Sequence, residues 1–84
     1  MRRDLMDRLV EYSLQKFERG PDGEMALTTQ VLRAVASSPE EAAGILLGEQ
    51  MHHVGEPRSV RAKVWCLDSS NKPIVTMLYS RAIP

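Results

Sequence analysis

Apolar positions recur along this chain with two periods, and the change from one to the other divides it. Between residues 3 and 19, Met6, Leu9, Val10, Ser13 and Phe17 fall within one arc at about 100° per residue, flanked by Leu5 and Leu14, which predicts an amphipathic helix. Gly20-Pro21 stops it, because proline cannot continue the helical ladder, and Pro21-Asp22-Gly23 is turn chemistry. Residues 24 to 37 predict a second helix with a broad apolar arc of Leu27, Val31, Ala34 and Val35, widened by Met25, Leu32 and Ala36. Ser38-Pro39-Glu40-Glu41 then sets Ser at the N-cap, Pro at N1 and Glu at N3, a capping box that starts a third helix running from Pro39 to about Met51.

After Val54-Gly55-Glu56-Pro57 the period shortens to 2. Residues 58 to 67 and 74 to 81 alternate and are rich in Val, Ile, Thr, Trp and Tyr, with turn residues Asp68 to Lys72 between them, which predicts a β-hairpin. Val60, Ala62, Val64 and Cys66 form its core face, with Arg61, Lys63, Trp65 and Leu67 opposite; the face of Tyr79 turns on one residue of loop register. Two strands alone are marginal, so the hairpin is expected to pack on the helices or to pair its edge with a second copy. A short added strand near Met51 to Val54 is the alternative for the linker. The expected fold is therefore α+β, three N-terminal helices followed by a C-terminal antiparallel hairpin, in one domain spanning residues 1–84. In element order alone this resembles a winged helix.

Composition narrows what such a domain does. Eleven basic and eleven acidic residues cancel, which removes any general pull toward nucleic acid or anionic membrane. The N-terminal Met1–Leu9 stretch mixes Asp with Arg and has neither a signal-like apolar run nor the length of a membrane span. The single cysteine, Cys66, excludes an internal disulfide framework, so a cytoplasmic setting is expected. Glycines at 20, 23, 44, 48 and 55 match no phosphate-binding spacing. His52 and His53 are adjacent and diverge, with no metal-ligand spacing to Cys66 or Glu49. No enzyme, cofactor, metal or small-molecule substrate is expected.

What remains is recognition. Candidate partner-binding residues are Arg61, Lys63, Trp65 and Tyr79 on the hairpin, Gly44, Gly48 and Met51 as a flat strip on helix 3, and Asp4, Asp7 and Glu11 as an acidic stripe on helix 1. The expected function is a non-enzymatic protein-binding regulator or inhibitor that occupies a surface of a larger protein, of the kind phages and mobile elements carry. The alternative is a winged-helix-like nucleic-acid-binding regulator using Arg58, Arg61, Lys63 and Lys72 on the hairpin. That alternative is disfavoured because helix 3 leads with two glutamates, which a phosphate surface repels.

Overall fold

A computed structural model describes residues 9–80. The chain folds as a curled antiparallel sheet with one α-helix among the described residues. Its strands are β1 (Val10–Arg19), β2 (Met25–Leu27), β3 (Leu32–Ala36), β4 (Val60–Leu67) and β5 (Pro73–Tyr79); helix α1 (Pro39–Leu47) lies between β3 and β4. The spatial order is β2-β1-β4-β5, with β3 also on β1. Because β3 and β4 are both antiparallel to β1, they run parallel to each other, and β3-α1-β4 is a crossover that spans the intervening β1.

The expected fold of three helices and a hairpin is corrected: the predicted helix 3–19 is a strand from Val10 onward, the predicted helix 24–37 is two short strands joined by a loop, and the winged-helix order falls with them. Val10, Tyr12 and Leu14 alternate with Glu11, Ser13 and Gln15, and this period of 2 prevails over the helical arc, which borrowed Leu5 and Met6 from outside the described residues and counted Ser13 as apolar. Gly20 to Glu24 is a hairpin turn. Gly20 N–H donates to the Glu24 carbonyl (2.8 Å), the Asp22 carboxylate accepts from Glu24 N–H (3.0 Å), and Gly23 takes the left-handed conformation, φ 84°.

The second predicted helix is the returning arm of this hairpin, in two pieces. From the Phe17↔Leu27 pair to Leu14↔Leu32, β1 advances three residues and the returning chain five, so two extra residues loop out between β2 and β3. Gln15 and Lys16 hold that loop: the Gln15 amide donates to the Thr28 carbonyl (3.0 Å), and Thr28 N–H and Oγ1 donate to the Lys16 carbonyl (2.9 and 3.2 Å).

Where local chemistry is strong, helix and hairpin form. Ser38 Oγ accepts Glu41 N–H (3.0 Å) and Pro39 occupies N1. Glu41 reaches past the cap to Ser37, accepting from its N–H (2.6 Å) and hydroxyl (2.9 Å). The helix stops at Leu47, short of Met51, because Gly48 takes φ 73° as its C-cap and donates to the Gly44 carbonyl (2.9 Å). In the hairpin, Leu67 pairs with Pro73 across a five-residue turn. The Asp68 carboxylate accepts from Ser70 and Lys72 N–H (2.7 and 3.0 Å), and Asn71 supplies the positive φ of 65°. Residues 57–59, ahead of β4, form a 3₁₀ turn.

The core lies between α1 and one face of the sheet. Tyr12, Leu14, Ala36, Ala62, Val64 and Leu78 meet Ala42 and Ala43 of the helix, and Met51 closes the end. Within β1 and β4 the core residues of that set, Tyr12 and Leu14, and Ala62 and Val64, are two apart, as the pleat requires. No described helix is long and apolar enough to cross a membrane.

Candidate functional site: the uncovered face of the sheet

One short helix can cover one side of a sheet, and the odd-numbered strand residues are left on the other. Cross-strand pairing orders them in rows: Val35 beside Glu11; Arg33, Ser13, Trp65 and Val75; then Gln15, Lys63 and Met77. Farther along β1, Phe17 lies beside Leu27 and Arg19 beside Met25. Val35, Leu67 and Val75 are 58, 57 and 49 % exposed, so this face presents large apolar groups to solvent.

Its relief is shallow. A depression of about 390 Å³ lies among Glu11, Ser13, Arg33, Trp65 and Leu67. Toward the β1–β2 turn a wider open cleft, about 640 Å³, is lined by Phe17, Arg19, Met25, Pro57 and Arg58. Both are open to solvent rather than enclosed. The cations Arg19, Arg33 and Arg58 outnumber the carboxylates Glu11 and Glu24 along these hollows, whereas α1 carries Glu40 and Glu41 on the opposite side.

Of the hairpin candidates, Trp65 and Lys63 sit together in this face, half-buried, with Lys63 Nζ 5.5 Å from the centre of the indole ring. Tyr79 follows Val75 and Met77 on β5, and its backbone is bonded to His52 in both directions (2.9 and 2.8 Å), the one pairing that the suggested strand at Met51 to Val54 makes with β5. Arg61 is different. The ladder slips by one residue between Val60 and Ala62, a bulge that leaves Arg61 as the extra residue, and its Nη2 donates to Glu49 just beyond the helix (2.7 Å). Its Nε is buried with no acceptor.

The other candidates are dispersed. Met51 is a core residue, Gly44 lies within α1, and Gly48 is there for its left-handed cap, so the flat strip is explained by the fold. Glu11 is on a strand, and Asp4 and Asp7 lie outside the described residues; the helical acidic stripe does not form in the part that is described. Arg58 and Lys72 are exposed at opposite ends of the hairpin, so the four cations of the nucleic-acid alternative do not converge.

Burial pushes the Tyr12 hydroxyl above its ordinary pKa, and its electrostatic interactions with Cys66 and Glu40 act in the same direction. The Ser37 backbone and side-chain hydrogen bonds hold the Glu41 carboxyl below its own. Cys66 is half-buried against the core, and no group of three His, Cys, Asp or Glu side chains that could hold a metal occurs among the described residues. Sequence periodicity missed Arg33, Val35 and Gln15 as face residues; apolar–polar alternation through 10–15 is the signal that marks Gln15, whereas 32–36 does not alternate and is placed by its pairing with β1. No protein-family model matches the chain, and no curated protein or solved structure matches it.

Proposed function

We propose that this protein is a non-enzymatic, protein-binding regulator or inhibitor that works by seating the uncovered face of its sheet on a larger protein. The observation that carries this is the set of solvent-facing apolar side chains Val35, Leu67 and Val75 around the half-buried Trp65, on a sheet whose other face is closed by α1. Such a centre, with arginines around it, has the make-up of an interface core and rim. The excess of cations along the hollows selects a partner that is apolar at its centre and carboxylate-bearing at its margin.

Single-stranded nucleic acid would use the same aromatics and cations, but it stacks bases on open rings. Here Lys63 already lies over Trp65, and the exposed groups around it are aliphatic, which favours protein. The test is affinity capture by the immobilised protein with and without nuclease, run beside Trp65→Ala, with hydrogen exchange mapped on the complex formed. A captured protein that survives nuclease, is lost with a folded Trp65→Ala variant and protects the Trp65–Val75 rows supports the proposal. Capture that is insensitive to Trp65→Ala, or that depends on nucleic acid, overturns it.

A further inference from the structure

The two margins of the sheet are built differently. On one side the margin is β2 and β3, two short pieces broken by a loop and carrying Arg33. Short, interrupted and charged strands are how proteins keep sheet edges from pairing. On the other side β5 runs unbroken for seven residues, and from Pro73 to Ser80 it contains no charged side chain.

Its hydrogen-bonding pattern can be assigned. Tyr79 N–H and C=O are both engaged with His52, while Ser80 N–H turns the other way, to Ser59 on the β4 side. Alternation along a strand then directs the N–H and C=O of Val75 and Met77 outward, where no described residue meets them. Pro73, also in the outward set, offers a carbonyl and no N–H. Two devices thus guard the ends of this edge, Pro73 and the His52 bridge, and the middle is open. Ile74 and Val75 there are 52 and 49 % exposed.

We infer that the β5 edge pairs antiparallel with β5 of a second copy about a two-fold axis at Val75, joining the two sheets into one. Three registers set Val75 opposite a member of the outward set, and the two guards choose among them. Val75 opposite Met77 would drive Pro73 of the second copy into the place His52 occupies beside Tyr79. Val75 opposite Pro73 halves the available donors. Val75 opposite Val75 of the second copy exchanges both bonds of that pair, and Met77 N–H reaches the Pro73 carbonyl, a group that asks for no acceptor in return. The second copy then turns away at Lys72, where the Asp68–Lys72 turn begins, and clears His52.

A foreign strand could bond the same backbone, but a second copy supplies an edge equally free of charge and of matching length, as an isologous contact demands. Directly paired residues share a face, so the two uncovered faces become one continuous surface. The contact is small beside a standard interface, which makes the dimer dependent on concentration.

The test is sedimentation equilibrium of the full chain with charge-paired variants. Wild-type protein should shift from monomer mass toward dimer mass as concentration rises. Val75→Lys and Val75→Glu should each stay monomeric, and their equimolar mixture should recover the dimer, since the register sets residue 75 against itself. Trp65→Ala, which alters the uncovered face and leaves the edge, should dimerise as wild type does, which separates this contact from the partner-binding face. Amide exchange on the unmodified protein gives a second readout: Val75 and Met77 N–H should slow with concentration and neighbouring edge amides should not. A wild-type mass that stays monomeric at every concentration, a mixture that fails to associate while its folded components are intact, or Val75 and Met77 amides unaffected by concentration would each overturn the inference.

Discussion

Leu14 and Gln15 are neighbours in the chain and opposite in circumstance. Leu14 is fully buried between β1's partners and helix α1, whereas Gln15 lies on the side no helix covers, its amide occupied with the Thr28 carbonyl. The same contrast repeats along β4, where Val64 is fully buried and Lys63 and Trp65 on either side of it are half-exposed. One face holds the fold together and the other is free for contact. The pleat makes this division residue by residue, so it can be probed by substitutions one position apart.

The largest effect is expected on the covered face. Leu14→Ala removes a side chain with no solvent exposure from the middle of the core, and should lower unfolding free energy by about 2–5 kcal/mol. A chain of 84 residues has little stability to spare. Urea titration followed by circular dichroism reads the change, and Gln15→Ala measured alongside should cost far less. Equal losses at the two positions would mean that the division into faces is wrong.

The next effect falls on the cover itself. Ser38→Ala deletes the acceptor of Glu41 N–H and should cost about 1 kcal/mol, read as a shift of the same urea midpoint. Of the whole fold, this helix start was the most legible in the sequence, together with the hairpin. Ser38-Pro39 and the Asp68–Lys72 turn state their conformations through local chemistry, and the neighbouring strands alternate without a competing pattern. The first half of the chain was not legible in the same way. Residues 10–19 and 25–36 satisfy both periods in part; pairing with β4, about fifty residues away in the chain, selects the strand for β1, and β2 and β3 pair with β1 in turn. Tyr79 shows a related limit: its face depended on a turn length that only the Leu67↔Pro73 pair fixes. Trp65 and Lys63 could be placed opposite Val64 from alternation alone, but the arrival of Arg33, Ser13 and Val75 beside them could not, because it requires knowing that β1 is a strand.

A smaller effect is expected from acid. Because the Glu41 carboxyl is held below its ordinary pKa by Ser37, the unfolded chain takes up its proton at a higher pH than the folded chain does. The stabilisation is therefore present above the ordinary carboxylate range and is lost as pH falls through the lowered folded-state value. Glu41→Gln should flatten that part of the acid limb of the stability profile by lowering the neutral plateau toward the acid level, since the amide cannot ionise. Ser37→Ala removes only the hydroxyl contact and should flatten it less, since Ser37 N–H remains to donate.

The smallest effect should come from Arg61, a hairpin cation whose ion pair is made beyond the helix rather than on the uncovered face. Arg61 is displaced from the alternation by the β4 bulge and is paired with Glu49 beyond α1, with both side chains about 40 % exposed. A pair that wet contributes about 1 kcal/mol or less. Against it stands the buried Nε with nothing to donate to, a cost that an apolar side chain of similar length would not carry. Arg61→Met should therefore change the urea midpoint by less than Ser38→Ala does and leave partner capture intact, whereas Arg33→Met, on the uncovered face, should weaken capture with little change in stability. Capture lost with Arg61→Met and kept with Arg33→Met would move the binding surface to the helix side of the sheet, so this pair of variants locates the boundary between the two faces at the one strand position where the pleat does not draw it.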